Sequence, residues 1–262
     1  MNQMKQLALV TGASSGIGLE LARQFAEHGF DLVLNAEDAG VEAAAVELRA
    51  TGADVRAVQA DLSTYDGVEQ LYAAAAGTGR PLDAVALNAG VGLGGLFLET
   101  DLAREIEMIQ LNVTSTVHLA KRVLTDMAAR DAGRVLITSS IASTMPGSYQ
   151  SVYNATKSFL QSFAQALQDE LKDTGVTVTS LMPGPTDTNF FHRAGMDGTR
   201  VGQSSGKDDP AQVAEQGFQA LMKDKDKVVA GSATTKAQGV AAKVLPDKLK
   251  AAAHRKMAEP TD

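Results

Sequence analysis

The sequence contains no cysteine and no tryptophan among its 262 residues. Without cysteine the chain can form neither a disulfide framework nor a thiolate metal site, and nothing indicates an oxidising compartment. The four histidines show no paired-ligand spacing, so no metal site is predicted. They are His28, His118, His192 and His254. Thiol chemistry and metal chemistry are therefore not expected of this protein.

Long apolar runs and an excess of basic residues are also missing. No window approaches the roughly 18 uninterrupted apolar residues that a membrane span requires, and the first residues lack the features of a signal peptide. The net charge of −7 argues against a nucleic-acid-binding surface, which needs clustered Lys and Arg. We therefore expect a soluble cytoplasmic protein with neither a nucleic acid nor a membrane as its partner.

What the sequence does contain is a regular alternation of short apolar runs and amphipathic stretches. The runs predicted as strands are 7–10, 31–35, 55–60, 83–87, 134–140, 176–182 and 227–230. Strands that alternate with helices predict an α/β protein, a parallel sheet with helices on both faces, here in one domain spanning 1–262. Ligands of such sheets bind outside the carboxyl ends of the strands.

Three further stretches depart from this rhythm. Helical periodicity over 101–130 falls into two pieces, and Asn112 lies near their join, where a kink or cap is the plain explanation. The segment 186–209 is rich in Gly, Ser, Thr and Asp and follows the sixth strand, so it is predicted to be a substrate lid. The tail, 231–262, reads as Ala/Lys-rich helices around Pro246, and no function is predicted for it.

A glycine-rich turn joins the first predicted strand to a helix. Gly12, Gly16 and Gly18 follow the pattern G-x-x-x-G-x-G. A strand, a glycine turn and a helix together aim backbone N–H groups at a phosphate. Glycine-rich turns also occur commonly between secondary-structure elements without binding a ligand, so the loop alone is weak support for a nucleotide site.

An acidic residue follows the second predicted strand, about twenty positions beyond the glycine turn. Glu37 stands where a carboxylate can accept a hydrogen bond from a ribose 2′-hydroxyl and repel a 2′-phosphate. The alternative is an ordinary acid in the first turn of a helix, where Asp and Glu are favoured. The sequence gives the two interpretations equal weight.

Tyr153 and Lys157 stand four residues apart in a predicted helix and so share one face. Acid–base work by tyrosine at neutral pH requires its pKa to fall by ~3 units from about 10, or ~4 kcal/mol. One cation at ~4 Å with an effective dielectric constant of ~20 supplies about 4 kcal/mol. We therefore expect Lys157 to lower the pKa of Tyr153. From these two residues alone, a chance pair on an exposed helix is the favoured explanation.

Other polar or turn-forming residues stand at the ends of the remaining strands. Ser139 and Ser140 point to opposite faces of an extended strand, so at most one of them faces a cleft at the sheet edge. The fold places all of these strand-end residues on one edge of the sheet. Their common location is stronger evidence for a ligand site than any single motif. They are the glycine turn, Glu37, Asp61, Asn88, Ser140 and Pro183.

With these residues in view, the chain closely resembles the short-chain dehydrogenase/reductase family over nearly its whole length. The motifs are T-G-A-S-S-G-I-G from Thr11 to Gly18, D-L at Asp61, N-A-G from Asn88 to Gly90, Asn112, S-S-I-A from Ser139 to Ala142, Y-N-A-T-K from Tyr153 to Lys157 and P-G-P-T-D-T from Pro183 to Thr188. Their order and spacing together are highly specific. The resemblance implies a single doubly wound Rossmann-type domain.

The resemblance also implies roles for individual residues. Asn112, Ser140, Tyr153 and Lys157 match the family's catalytic tetrad, with Ser140 selected over Ser139 by its spacing of thirteen residues from the tyrosine. Asp61 is expected against the adenine, Asn88 beside the adenosine ribose, Thr188 near the nicotinamide carboxamide, and Lys157 also on the nicotinamide ribose. The implied cofactor contacts are Gly12, Ser14, Ser15, Gly16, Ile17, Gly18, Glu37, Asp61, Leu62, Asn88, Ala89, Gly90, Tyr153, Lys157, Pro183, Gly184, Thr186 and Thr188.

The sequence departs from the family pattern at three places. Leu87 replaces the first Asn of N-N-A-G, which puts a sheet-stabilising hydrogen bond in doubt, and Ser143 replaces a frequent Gly. Glu37 and Asp38 stand where many NADP-preferring relatives carry arginine, and Ser15 is not basic. The cofactor is therefore NAD or NADP, with NAD favoured.

The resemblance predicts reversible hydride transfer between a nicotinamide and a carbonyl or secondary alcohol, in a homodimer or homotetramer. Tyr153 exchanges the proton, Ser140 holds the substrate oxygen, and Asn112 anchors a water that connects Lys157 to solvent. The alternatives are a nucleotide sensor or scaffold without turnover, and a 3-oxoacyl-type reductase. Apolar residues of an expected substrate pocket, which are equally explained by packing, are Leu93, Leu96, Phe97, Met145, Phe190 and Phe191.

Overall fold

The computed structural model describes residues 5–241 and 245–261, which form seven strands and eleven helices. The strands are β1 (Leu7–Thr11), β2 (Asp31–Ala36), β3 (Val55–Gln59), β4 (Ala84–Leu87), β5 (Gly133–Thr138), β6 (Val176–Pro183) and β7 (Lys227–Ala230). The helices are α1 (Gly16–Glu27), α2 (Gly40–Arg49), α3 (Tyr65–Ala76), α4 (Leu102–Ile109), α5 (Ser115–Ala129), α6 (Ser151–Glu170), α7 (Phe190–Arg193), α8 (Arg200–Gln203), α9 (Pro210–Met222), α10 (Ala233–Ala241) and α11 (Asp247–Ala258). Parts of the predicted domain and tail, residues 1–4, 242–244 and 262, lie outside the described residues.

The seven strands form one parallel sheet in the order β3-β2-β1-β4-β5-β6-β7. The chain builds outward from β1 to β3 and then returns to the other side of β1 with β4. The strand order therefore reverses between β1 and β4, and a crevice forms at the carboxyl ends of these two strands. The predicted doubly wound Rossmann-type sheet is confirmed.

The sheet is buried on both faces because successive residues of each strand point to opposite sides. In β2, Leu32 and Leu34 pack into one core with α1, α2 and α9. Val33, between them, packs into a second core with α3, α5 and α6. These two apolar layers fix the sheet, and the sheet in turn fixes the positions of the strand ends that border the crevice.

The predicted interruption of the 101–130 helix near Asn112 is confirmed. A single π-helical turn, Gln110–Thr114, separates α4 from α5. The Thr116 hydroxyl donates to the Asn112 carbonyl at 2.9 Å, so a side chain compensates the widened backbone. Such turns frequently occur at functional sites, since they aim one side chain away from the regular helical face.

Strand β5 ends at Thr138, two residues before the predicted end at Ser140. The reason is local capping: the Ser140 hydroxyl accepts a hydrogen bond from the Ala142 N–H at 3.1 Å and starts the 3₁₀ turn Ile141–Thr144. Ser139 and Ser140 therefore lie just beyond the strand, at the rim of the crevice.

The segment 186–209 is less irregular than predicted, because it contains the short helices α7 and α8. Thr199 caps α8 by accepting the Gly202 N–H at 3.0 Å. Buried Asp208 ends the segment and accepts hydrogen bonds from the Ser232 N–H at 2.8 Å and the Thr235 hydroxyl at 2.5 Å. Of the helices in the described ranges, none combines the length and apolar content that crossing a bilayer requires.

Candidate active site

One cleft of about 450 Å³ opens at the carboxyl ends of the strands. Its volume falls within the range of roughly 300–1,000 Å³ that is usual for small-molecule and cofactor sites. All the site residues predicted from the sequence, except Asn112, line this cleft: Gly12, Ser14, Ser15, Gly16, Ile17, Gly18, Glu37, Asp61, Leu62, Asn88, Ala89, Gly90, Ser140, Tyr153, Lys157, Pro183, Gly184, Thr186 and Thr188.

The glycine turn forms a bare backbone cradle at one end of the cleft. Gly12 and Gly16 have φ values of +66° and +58°, which residues other than glycine rarely adopt. A Cβ on Gly18 would lie 2.0 Å from the Gly12 carbonyl oxygen, so helix and turn can meet this closely only at glycine. Ser15, before α1, makes no side-chain cap, and the first turn of α1 carries no acid. The N–H groups at this helix end are therefore available to an anion.

The second side of the cleft is formed by the first turns of α6, where Tyr153 and Lys157 are both buried. The Lys157 ammonium lies 5.8 Å from the centre of the Tyr153 ring. It donates to the Thr138 carbonyl at 3.0 Å, which ties it to the end of β5. Burial lowers the pKa of Lys157 to about 8. One hydrogen bond leaves two of the three ammonium donors for other partners.

The expected lowering of the Tyr153 pKa is wrong for the protein alone. Burial raises the pKa of this phenol to about 12, although a hydrogen bond with Ser140 acts in the opposite direction. Helical spacing predicts an ammonium close to the phenol oxygen, but the Lys157 ammonium lies near the ring and donates to the Thr138 carbonyl. Desolvation of the phenolate therefore dominates, and Tyr153 holds its proton at neutral pH.

The two serines after β5 have separate partners, but both line the cleft. The expectation that at most one of them faces the cleft is wrong, because β5 ends at Thr138 and strand alternation no longer applies to them. The Ser139 hydroxyl donates to the Lys157 carbonyl at 3.1 Å and so faces α6. The Ser140 hydroxyl is the one that bonds with Tyr153, and it lies within donating distance, 3.4 Å, of the Pro183 carbonyl. Ser140 is thus held at the junction of β5, β6 and α6.

Asn112 is the exception among the predicted site residues, because it lies behind the cleft wall and is fully buried. Its amide oxygen accepts from the Val91 N–H at 2.9 Å, while its amide nitrogen donates to the Val91 carbonyl at 2.9 Å and to the Thr156 hydroxyl at 3.1 Å. Gly90 separates it from the cleft, and a Cβ there would lie 3.1 Å from the Asn112 oxygen and 3.4 Å from the Lys157 ammonium. Asn112 therefore fixes the loop after β4 against α6.

The ends of β1, β4 and β5 are cross-linked by side chains despite the leucine at position 87. The Asn88 amide donates to the Thr11 carbonyl at 3.1 Å and accepts from the Thr138 hydroxyl at 3.2 Å. The Thr11 hydroxyl accepts from the Asn88 N–H at 2.9 Å. Leu87 itself packs in the core. The Leu87 side chain cannot form the hydrogen bond that this departure put in doubt, and the strand ends are joined by the bonds of Thr11, Asn88 and Thr138.

Acidic groups surround the far end of the glycine turn. The Asp61 carboxylate accepts from the Ser63 N–H and hydroxyl, both at 2.9 Å. The Asp38 carboxylate accepts from the Ser14 hydroxyl at 3.0 Å. Glu37 is paired with Arg193, which reaches across the mouth of the cleft from α7. Sequence reasoning missed Arg193, because the residues of this pair are 156 positions apart.

The opposite end of the cleft is bounded by the segment 186–209 and by α11. Of the predicted apolar pocket residues, Met145, Phe190 and Phe191 line the cleft, and Leu93 packs beneath it with Tyr153. Leu96 and Phe97 were wrongly included, since both are exposed and neither lines the cleft.

Helix α11 belongs to the tail for which no function was predicted. Residues that sequence reasoning missed at this end are Gln150, Val201, Lys250, Ala253, His254 and Met257. An Ala/Lys-rich helix carries no sequence signal of where it docks.

Comparison with known proteins agrees with this architecture. A family model described as short chain dehydrogenase matches residues 6–197. An uncharacterized oxidoreductase, YmfI of Bacillus subtilis, is 33% identical over 193 residues, which are 72% of this chain and 78% of the relative. A 3-oxoacyl-[acyl-carrier-protein] reductase of Synechocystis sp. is 34% identical over 181 residues, or 68% of this chain and 73% of that protein.

A solved structure gives the same result for the fold. A short-chain dehydrogenase from Sphingobium yanoikuyae in complex with NADPH superposes with a TM-score of 0.79 at 29% identity, covering 85% of this chain and 87% of that one. The matched family model spans β1 to β6 and the start of the segment 186–209, and therefore includes every predicted site residue. The chain belongs to the short-chain dehydrogenase/reductase family of NAD(P)-dependent oxidoreductases.

Proposed function

We propose that this protein transfers a hydride between NAD(P) and a carbonyl or secondary alcohol carbon, with Tyr153, Ser140, Lys157 and Asn112 as its functional residues. One observation carries the proposal: a buried tyrosine and a buried lysine, one helical turn apart, share a cleft with a bare glycine cradle. The cradle suits a dinucleotide, and the tyrosine suits proton transfer to the substrate beside it.

The residues present fit the cofactor. The free N–H groups at the start of α1 suit the pyrophosphate, and the two spare donors of Lys157 suit ribose hydroxyls. Asp61 and Asn88 are assigned to the adenosine, and Thr188 to the carboxamide, by family resemblance. When bound, the cofactor gives or takes the hydride at nicotinamide C4, while the protein supplies position and electrostatics.

Tyr153 acts as the acid when a ketone is reduced. Its raised pKa keeps the proton on the phenol until negative charge develops on the substrate oxygen, and the O–H bond then breaks toward that oxygen. Ser140 donates a hydrogen bond to the same oxygen, a contribution often worth a few kcal/mol. In the oxidation direction the phenolate must accept the proton. The positive charges of Lys157 and of the oxidised nicotinamide both favour this phenolate.

Lys157 and Asn112 complete the path of the proton. The ammonium lies 5.8 Å from the centre of the Tyr153 ring and donates to the Thr138 carbonyl. Gly90 is adjacent to both this ammonium and Asn112, since a Cβ on Gly90 would lie 3.4 Å from the first and 3.1 Å from the amide oxygen of the second. We assign Lys157 to returning a proton to the tyrosine. Asn112 is a positioning residue that holds the Val91 loop and a water beside Lys157.

NAD is the preferred cofactor in this proposal, because Glu37 repels a 2′-phosphate at the end of β2. Arg193 opposes this preference, since its guanidinium pairs with Glu37 and attracts the same phosphate. The balance of the two side chains sets the cofactor choice.

A 3-oxoacyl-type reductase is a second candidate, favoured by the 34% identity to the Synechocystis reductase of that name. It differs from the first in requiring a β-ketoacyl thioester. Turnover of acetoacetyl thioesters at least tenfold faster than of simple ketones supports the second candidate.

We further propose a homo-oligomer. Leu102, Ile106 and Ile109 form an exposed apolar stripe along one face of α4, and Leu98 just before it is 93% exposed. An exposed apolar face of this kind suits a two-fold contact with a second copy, in which the same face of each copy is buried.

The test of the proposed activity is a panel of ketones and secondary alcohols, each with NAD(H) and NADP(H), with binding and turnover measured in parallel. Cofactor binding is read from nicotinamide fluorescence and from the rise in thermal stability that specific binding produces. Turnover of at least one carbonyl compound is expected. Tight cofactor binding without turnover across the panel contradicts the proposal and favours a nucleotide sensor or scaffold.

A further inference from the structure

Two buried polar side chains at the substrate end of the cleft have no part in the proposed hydride transfer. Gln150 is only 7% exposed and His254 only 6% exposed, and both line the cleft. Gln150 lies just before α6, and His254 lies on α11. A mostly buried side chain that turns an unpartnered polar atom to an open cleft can bond only water or a ligand there, so it marks a candidate ligand contact.

Gln150 presents an amide without a protein partner. Its backbone groups are satisfied, because its N–H donates to the Gly147 carbonyl and its carbonyl accepts from the Asn154 N–H, both at 2.9 Å. Its side-chain amide makes no hydrogen bond to any residue within 5–241 or 245–261. Gln150 is the N-cap residue of α6, three positions before Tyr153, and both residues line the same cleft. The amide is therefore available to a ligand in that cleft.

His254 is placed by the docking of α11 on the loop that precedes α6. Its Nδ1 lies 2.9 Å from the Ser148 carbonyl, and the Lys250 ammonium donates to the Thr144 carbonyl at 3.1 Å. A carbonyl only accepts, so Nδ1 carries the proton and Nε2 of the neutral ring is a hydrogen-bond acceptor. Burial lowers the pKa of His254, which keeps the ring neutral at pH 7. Within the described ranges, Nε2 has no protein donor.

We propose that Gln150 and His254 form a subsite for a hydroxyl group, so that the substrate is a hydroxyketone, or the corresponding diol, on an otherwise apolar frame. A hydroxyl donates to the His254 Nε2 and accepts from the Gln150 amide, so it satisfies both groups at once. A second carbonyl only accepts, and it leaves the imidazole without a donor. The proposal rests on the proposed reductase activity for the reacting carbonyl, which lies at Tyr153.

The apolar frame follows from the other walls at this end. Met145, Phe190 and Met257 line the cleft around the two polar groups. The Phe190 ring lies 5.3 Å from the Tyr153 ring, so apolar surface begins next to the reacting position. Lys250 lines the same end, but its ammonium is engaged by Thr144 and by Asp247 at 2.7 Å. The Asp247 carboxylate already balances the charge of this ammonium, so the site offers no unpaired cation to a carboxylate on the substrate.

The test compares 2-heptanone with its 3-, 4- and 5-hydroxy derivatives and with the corresponding methoxy ketones. We expect at least one hydroxyketone to exceed 2-heptanone in catalytic efficiency by roughly tenfold or more, because a site built for a hydroxyl discriminates against analogues that lack it. The matching methoxy ketone, which cannot donate, should lose this advantage.

Two variants assign the preference to the subsite. Gln150→Leu removes the amide at similar volume, and His254→Asn retains a donor for the Ser148 carbonyl while removing the Nε2 acceptor. Each should raise KM for the preferred hydroxyketone about tenfold, while the catalytic efficiency toward the unsubstituted ketone stays within about twofold of wild type. Gln219→Leu, at an exposed position on α9 where the amide bonds to Glu215, is the matched control and should change neither.

Binding of the same ketones to the Tyr153→Phe variant with cofactor provides a readout that needs no turnover. Tighter binding of the hydroxyketone, lost in Gln150→Leu, supports the subsite even if the proposed reaction is wrong. Equal binding of hydroxy and unsubstituted ketones, or a preference that survives both Gln150→Leu and His254→Asn, overturns it. Turnover without any such preference overturns the subsite alone and leaves the proposed function intact.

Discussion

The two ends of the cleft are built in different ways. At the cofactor end, the glycine turn, Asn88 and Thr138 stand at the carboxyl ends of adjacent strands, and their hydrogen bonds run between these strands. At the substrate end, α11 is attached to a loop 106 residues away by two side-chain bonds to backbone carbonyls. The register of the sheet fixes the first end, and the docking of surface elements fixes the second.

The difference assigns cofactor binding to one end of the cleft and the choice of substrate to the other. A rigid cofactor end positions the nicotinamide in the same way for any substrate, while a docked helix can change without disturbing the sheet. Substitutions at the cofactor end should therefore alter dinucleotide binding for every substrate. Substitutions at the substrate end should alter KM for particular substrates and leave cofactor affinity unchanged.

The largest effect on cofactor binding is expected for Gly18→Val. The new Cβ would lie 2.0 Å from the Gly12 carbonyl oxygen, which is backbone and cannot move aside. We expect cofactor affinity to fall by roughly 100-fold, about 3 kcal/mol, for every substrate. Nicotinamide fluorescence measures the affinity, and circular dichroism checks the fold. Gly198→Ala, where a Cβ meets no atom within 4 Å, is the control. Unchanged affinity in Gly18→Val would contradict the assignment of the cradle.

Lys157→Met should separate catalysis from stability. Turnover is expected to fall by roughly 100-fold or more, since the proton path is lost. Because burial lowers the Lys157 pKa from 10.5 to about 8, the charged lysine costs the native state ~3 kcal/mol at pH 7. An apolar side chain of similar volume avoids this cost, so the variant should be at least as stable as the wild type there.

The pH dependence of that stability has a definite sign. The unfolded chain binds more protons than the native protein between pH 8 and 10.5, so this destabilisation is complete below pH 8 and is relieved as pH rises. The difference in unfolding free energy between Lys157→Met and wild type should therefore shrink from about pH 7 to about pH 10. Urea unfolding of both proteins at about pH 7 and about pH 10 measures this free-energy difference. A difference that grows with pH would contradict the claim that burial lowers the Lys157 pKa.

Phe190→Ala tests the substrate end. The Phe190 ring packs against Tyr153 and Phe191 and lines the cleft, so its removal takes apolar surface from the substrate. We expect KM for apolar ketones to rise roughly 10- to 100-fold, with cofactor affinity unchanged. Steady-state kinetics with saturating cofactor measures KM, and fluorescence titration measures cofactor affinity. Loss of cofactor affinity instead would erase the proposed division between the two ends.

The smallest effect concerns the Glu37–Arg193 pair. Glu37→Gln removes the repulsion of a 2′-phosphate and frees Arg193 for it, so NADP affinity should rise about tenfold relative to NAD. Arg193→Gln should act in the opposite direction. Glu47→Gln, which removes an exposed carboxylate paired with Arg23, is the control. Identical NAD/NADP ratios in all four proteins would exclude this pair from cofactor choice.

Much of the fold could be predicted from sequence because the two signals that define it, apolar runs and turn residues, are local. Apolar runs such as 31–35 and turn residues such as Gly12 report on their own surroundings, and strand-end position then places them on one rim. The break at Asn112 was also predictable, since asparagine is a poor interior helix residue. The position of Asn112 behind Gly90, however, depends on the π-helical turn, which no spacing rule indicates.

The missed parts of the site depend on contacts between distant residues. Arg193 reaches Glu37, and His254 reaches Ser148, across 156 and 106 positions. The predicted lowering of the Tyr153 pKa is wrong for a related reason. Helical spacing predicts that Tyr153 is close to Lys157, but burial by the surrounding structure decides whether the pKa rises or falls. Sequence therefore predicts which residues border the cleft better than it predicts their electrostatics.

The central claim is that the Tyr153 phenol donates the proton that accompanies hydride transfer. Single-turnover reduction of a ketone, followed by loss of the reduced nicotinamide absorbance, tests it most directly in Tyr153→Phe. Tyr65→Phe, the same change at an exposed residue that does not line the cleft, is the control. We predict a rate roughly 100- to 10,000-fold lower in Tyr153→Phe, with cofactor affinity within about twofold of wild type. A wild-type rate in Tyr153→Phe would contradict the account.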